Sequence, residues 1–340
     1  MKSNKEFILS TPISIKPADD KIDHNQQIIS LGSCFAETMG SRLANAKFNV
    51  LANPFGVIYH PSAIAHLLEL SLNPSKSIED GFDQNNGIHF HYDFHSSLSE
   101  DSKAKLQAAI NASIGNTAEA IQKADWLILT FGTAFRYYLK TEKRPVANCH
   151  KMPAKLFDKR LSGGNEMLED LNRVLQLIRE QRPTLKVIVT VSPVRHTKDG
   201  MEENMMSKSL LRVLCGQLAK ENSFVHYFPS YEIMMDELRD YRYYKSDLIH
   251  PTELAEDIIW TRFAESYFSK DTTDLISQLE SIQHDLSHRI MQPKSEAAAK
   301  FLHALESKIR QFPISLPEEE KQLAEKRLEI ARENPPAQTP

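Results

Sequence analysis

The chain has 340 residues, 41% of them hydrophobic and 25% charged. Those proportions exclude global disorder, and the length suffices for one large or two ordinary domains with cores that need no disulfide or metal staple. With 41 Lys+Arg against 45 Asp+Glu, the net charge of −4 leaves no electrostatic footprint for nucleic acid or an anionic membrane.

In chain order, the apolar pattern switches between short runs and helical stretches. Residues 27–31 (QIISL) read as a buried strand, and Phe35, Met39 and Leu43 follow at the helical spacing of four. Residues 48–51 are a second short strand, and 61–72 and 103–123 are helices. Residues 126–131 (WLILTF) form a continuous apolar run, the mark of a strand buried on both faces. A helix over 164–182, a strand over 186–191, a helix over 203–222, a strand over 224–228 and a helix over 251–268 complete the alternation. Alternating strands and helices predict βαβ units, a mostly parallel sheet and a three-layer α/β sandwich. Two regions depart from this rhythm. Residues 76–100 read as an insertion in a domain spanning 1–270. Residues 271–340 read as a helical C-terminal extension, interrupted at Pro293, Pro313 and Pro317, with a frayed end over 335–340.

The three cysteines, Cys34, Cys149 and Cys215, are far apart and form no CxxC pair, as expected in a reducing compartment. Residues 1–20 carry no apolar secretory segment, and no run reaches the roughly 18 apolar residues of a membrane helix. A cytoplasmic location without membrane partners is expected; oligomeric state is not legible.

In a parallel sheet the site lies beyond the carboxyl ends of the strands. Gly32-Ser33 falls where the first strand meets the first helix. Ser33 there is either a helix cap or a nucleophile whose oxyanion the helix N-terminus stabilises. Asp247 and His250 stand three apart on the loop before a helix that begins near Pro251, so the carboxylate is able to orient the imidazole as a general base. Cys34 adjoins the serine and is the better nucleophile chemically, but a buried structural thiol is the simpler expectation. Arg195 and His196 follow the fourth core strand and suit an anionic or polar group of a substrate. His89, His91, Asp93 and His95 alternate with apolar residues on an extended segment. A polar wall of the cleft is expected there, with a zinc-type site as the rival. Tyr241, Tyr243 and Tyr244 are packing residues or a stacking surface for a sugar ring.

The order Ser33…Asp247-x-x-His250 on such a scaffold resembles the SGNH (GDSL-like) hydrolases. More closely, Gly32-Ser33-Cys34-Phe35-Ala36 resembles the motif of the GSCFA family. The resemblance continues through Asn53–Gly56, 131–134, 148–151, 192–196 and 247–251, and spans about residues 25–270. It implies a flavodoxin-like five-stranded parallel sheet, a serine esterase acting without a cofactor, and a small acyl ester, such as acetyl, on a carbohydrate. It assigns Ser33 as nucleophile, His250 as base, Asp247 as its orienter, and the N–H groups of Ser33 and Gly56 as oxyanion donors. The superfamily's Gly-x-Asn block is Gly132-Thr133-Ala134 here, so Thr133 or Asn148 is expected to complete the oxyanion hole. His95 matches a block placed at the cleft. An acyltransferase using the same triad and a catalytically silent carbohydrate-binding protein are the alternatives.

Overall fold

All six residues of β5 (Trp126–Phe131) are buried, and so are the last five of β1 (Gln27–Gly32) and of β9 (Lys186–Val191). Runs of this kind are stable only where helices cover both faces of a sheet. The computed structural model, which describes residues 10–74, 78–292, 295–314, 316 and 318–333, places them at the centre of a five-stranded sheet. The edge strands are β2 (Asn49–Ala52) beside β1 and β10 (Val225–Phe228) beside β9. The order is β2-β1-β5-β9-β10, parallel throughout. This is the expected flavodoxin-like arrangement.

On one face, α2 (Pro61–Leu72), α3 (Lys103–Lys123), α4 (Gly164–Gln181) and α5 (Met201–Glu221) bury Ile64, Leu68, Ile110, Leu171, Leu175 and Leu211 against the sheet. On the other face lie α1 (Cys34–Asn45), a short α6 (Ser230–Glu232) that runs into a π turn over Ile233–Glu237, and α7 (Glu253–Tyr267). They contribute Phe35, Met39, Leu43, Ile233, Ile259 and Phe263. The helix expected over 251–268 starts later, because the Thr252 side chain caps it by accepting from the Ala255 N–H.

The expected insertion over 76–100 contains a hairpin of β3 (Phe82–Asn85) and β4 (Ile88–His91); residues 76 and 77 lie outside the described residues. A second departure was not anticipated. Between β5 and α4 the chain forms an antiparallel sheet in the order β7-β6-β8, from β6 (Phe135–Leu139), β7 (Arg144–Val146) and β8 (Phe157–Leu161). At the C-terminal end, α8 (Lys270–Ser287), α9 (Glu296–Gln311) and α10 (Glu318–Glu333) build a small core from Leu279, Ile282, Leu286, Leu305 and Ala324, with Phe312, the residue after α9. Pro313 lies between α9 and α10; Pro293, Pro317 and the tail over 335–340 lie outside the described residues. Among the described residues no helix is long and apolar enough to cross a membrane.

Candidate active site

The buried stripe of α5 is apolar toward its C-terminal end, with Leu211, Leu214 and Leu218, but polar at its start, with Asn204, Ser207 and Lys208. These three side chains hold the loops that leave the central strands. Asn204 Oδ1 accepts from the His196 N–H at 2.8 Å, and Ser207 Oγ accepts from the Ala134 N–H at 2.8 Å. Lys208 Nζ, with no exposed surface, donates to the carbonyls of Gly132 and Ser192, each at 2.8 Å. Those carbonyls follow β5 and β9, so one amine ties both loops together. Desolvation lowers the Lys208 pKa to about 7, against a smaller opposing pull from Cys34.

At the end of β1, Gly32 adopts φ +145°, and a Cβ there would stand 2.1 Å from the Thr130 carbonyl oxygen. Only glycine fits so close an approach. The chain then turns into α1, with Ser33 as the residue before the first helical turn. Ser33, the expected nucleophile, is enclosed at this turn. Ser33 has no exposed surface, its Oγ has no hydrogen-bond partner, and its N–H donates to the Thr130 carbonyl at 3.0 Å. Its N–H is thereby engaged across the seam between β1 and β5. The next residue, Cys34, faces the cleft.

Cys34 lines a cavity of about 410 Å³ together with Tyr59, Thr133, Phe135, Arg195, His196 and His250. Burial pushes the Cys34 thiol above its ordinary pKa. The N–H of Phe35, in the first turn of α1, and the Lys208 amine pull the other way. The thiol is therefore the resting form and needs a base to become a nucleophile.

The base is prepared by a short loop. Leu248 takes a positive φ of 56°, which folds Asp247 back on the residues after it. Asp247 Oδ1 accepts from the N–H groups of Ile249 at 2.9 Å and His250 at 3.0 Å, while Oδ2 lies 2.7 Å from His250 Nδ1. The N–H donors of His250 and Ile249, followed by the imidazole, hold the Asp247 carboxyl down at about 2. With the proton on Nδ1 facing Asp247, His250 Nε2 is left as an acceptor for the cavity.

The other expected site residues divide. Thr133 lines the cavity; its Oγ1 lies 3.2 Å from Ser207 Oγ and accepts from the Phe135 N–H at 3.1 Å. His196 lines it with a buried Nε2 that has no partner, and burial, with the Lys208 charge next, lowers its pKa to about 4. Arg195 lines it too, and donates through Nη2 to the Tyr244 hydroxyl at 2.8 Å. Gly56, Asn148 and His95 are not among its lining residues. The Gly56 N–H donates to the Asn53 carbonyl at 2.8 Å, closing a turn. Asn148 Oδ1 accepts from the His150 N–H at 2.8 Å in its own loop. The His95 Nδ1 caps the short helical turn over Ser96–Leu98 by accepting from the Ser97 N–H.

The histidine-rich segment does not present one polar face. His91 is buried with Nε2 2.7 Å from the Asp80 carbonyl, and Asp93 pairs with Arg144 at 2.7 Å. Among the described residues no group of three or more His, Cys, Asp or Glu side chains is placed to hold a metal ion.

Lys208 and Tyr59 escaped the sequence reading. Lys208 had a legible signal: it falls on the same helical stripe as Leu211, Cys215 and Leu218, where a lysine must be buried. Tyr59 had none; its ring lies edge-on to His196 at 5.3 Å only because Gly132 leaves room for it.

In comparisons with known proteins, the model of the GSCFA family matches residues 27–263. No curated protein and no solved structure matches the chain.

Proposed function

The chain belongs to the GSCFA family, and from that premise we propose that it hydrolyses an acyl ester through a thioester intermediate, with Cys34 as nucleophile, His250 as general base and Asp247 as the residue that orients it. The observation that carries this reading is that Cys34 and the Asp247-backed His250 open onto one cavity at the carboxyl end of β1. His250 Nε2 takes the thiol proton as the sulfur–carbon bond forms. The carbon–oxygen bond to the alcohol then breaks, and the alcohol leaves with the proton from His250. Water, deprotonated by the same imidazole, cleaves the thioester and restores the thiol. The first-turn N–H groups of Cys34 and Phe35 would serve as backbone donors for the oxyanion, with the Thr133 hydroxyl as the side-chain donor.

A second cavity of about 460 Å³ shares Arg195 with the first and is lined by Tyr231, Tyr241 and Tyr244. It offers room and ring faces for the alcohol portion, for which a sugar is the expectation from the SGNH resemblance.

The test pairs Cys34→Ala with Ser33→Ala on short 4-nitrophenyl esters. Cys34→Ala is expected to lose at least roughly a thousandfold in turnover, while Ser33→Ala keeps most of it. Wild-type Cys34 is expected to be alkylated by iodoacetamide faster than Cys149, with the difference lost in His250→Ala. Activity that survives Cys34→Ala and dies in Ser33→Ala, with fluorophosphonate labelling of Ser33, returns the chemistry to the serine. No turnover by wild type and no His250 dependence of alkylation means a silent binding protein.

A further inference from the structure

Ionic groups around the candidate active site are out of balance with the chain as a whole. The net charge is −4, yet three cations, Lys159, Arg195 and Lys198, line the Cys34 cavity against the single carboxylate of Asp199. That carboxylate is already engaged by Lys159. Among the described residues, neither Arg195 nor Lys198 has an acidic side chain within ion-pair distance. The acids of the adjoining cavity do not serve them, because Asp236 pairs with Arg239, and Asp240 pairs with Arg242 at 2.9 Å.

Arg195 is the more constrained of the two. Its guanidinium sits 4.1 Å above the Tyr244 ring and donates through Nη2 to that residue's hydroxyl. Its Nε is buried without any hydrogen-bond partner. A guanidinium fixed by stacking, with an unsatisfied N–H, is prepared for a planar oxyanion. It lines both cavities, so a group it holds lies at their junction, beside His250. The neighbouring His196 Nε2 is also buried and unpartnered.

We infer that the substrate is an anionic ester, one that carries a carboxylate or a similar oxyanion close to the scissile bond, and that Arg195, with Lys198, recognises that charge. The inference rests on the acyl-ester reading above and narrows it: a plain acetyl ester of a neutral sugar leaves both cations unused.

The experiment compares charged and neutral esters of matched size. On the acyl side, 4-nitrophenyl hemiglutarate is set against its methyl-capped ester; on the alcohol side, 4-acetoxybenzoate is set against its methyl ester. In at least one pair the anion is expected to have the higher kcat/KM, by about tenfold or more at low salt, with the advantage shrinking as salt is added. The anionic-to-neutral ratio is expected to collapse through KM in Arg195→Gln, to fall in Lys198→Gln and to be partly kept in Arg195→Lys. Equal rates within both pairs, or a ratio unmoved by Arg195→Gln in a folded variant, overturns the inference while leaving ester hydrolysis in place. If wild type cleaves none of these esters, the hydrolytic reading is what fails. Anion recognition is then judged by whether glutarate slows iodoacetamide alkylation of Cys34 in wild type but not in Arg195→Gln; no protection overturns it.

Discussion

Asp247 shows how much chemistry a single side chain organises when its hydrogen bonds are all local. One carboxylate oxygen fixes the backbone of the loop and the other fixes the imidazole. Asp247→Asn keeps the loop contacts through its amide oxygen but turns an N–H toward His250 Nδ1, which favours the wrong tautomer. Turnover is expected to fall by roughly three to four orders of magnitude, with unchanged far-UV circular dichroism and melting temperature as the control. The Asp–His pair was fully legible in the sequence, because both partners sit on one short loop. The strand-to-helix turn was legible, but which of its two residues lines the cleft was not. Whether Ser33 or Cys34 faces the cleft depends on the backbone rotation at Gly32, with its φ of +145°, and on the capture of the Ser33 N–H by Thr130. Neither is encoded in the pentapeptide itself. The engagement of the Gly56 N–H by the turn that positions it was not legible either.

Among the elements, the central strands and the helices that cover them were readable because their signal is local. A run such as Val187–Val191 is apolar but for Thr190, and the α4 stripe of Met167, Leu171, Val174 and Ile178 has a single period. The sheet of β6, β7 and β8 was missed because β6 reads Phe-Arg-Tyr-Tyr-Leu, without a clean alternation, and is held by pairing with distant Phe157–Leu161. At the start of α2, His60 binds pH-sensitively to the fold. Its Nδ1 accepts from the Ser62 N–H at 3.1 Å, so its Nε2 carries the proton shared with Ser162 Oγ at 3.0 Å. Burial, with Arg136 next, depresses its pKa to about 3. The unfolded chain takes up a proton near pH 6.5 that the folded chain refuses. The stability from the neutral ring is therefore complete above about 6.5 and is lost as pH falls toward about 3, at up to about 1.4 kcal/mol per pH unit. His60→Asn keeps a capping acceptor and removes the titration. Urea unfolding between about pH 4 and 7 is expected to show a shallower acid loss in that variant than in wild type.

Across the whole molecule, the two helix layers and the sheet bring the loops after β1, β5 and β9 to one edge, and the polar end of α5 locks two of them together. The lock is an amine that had to be taken out of water. In the unfolded chain Lys208 is a hydrated ammonium; in the folded chain its pKa is about 7. Stability tied to this side chain is complete above the ordinary lysine value of about 10.4 and declines as pH falls toward about 7. The same cost falls on the route to the native state: α5 docks only when the ammonium sheds its proton or its hydration shell. Closure of this edge is therefore expected to be accelerated by mild alkali. Stopped-flow refolding is expected to quicken from about pH 7 to 9 in wild type and to lose that dependence in Lys208→Met. A chain that refolds at one rate across this range places the dehydration of Lys208 after the barrier, with the edge closing only once folding is otherwise complete.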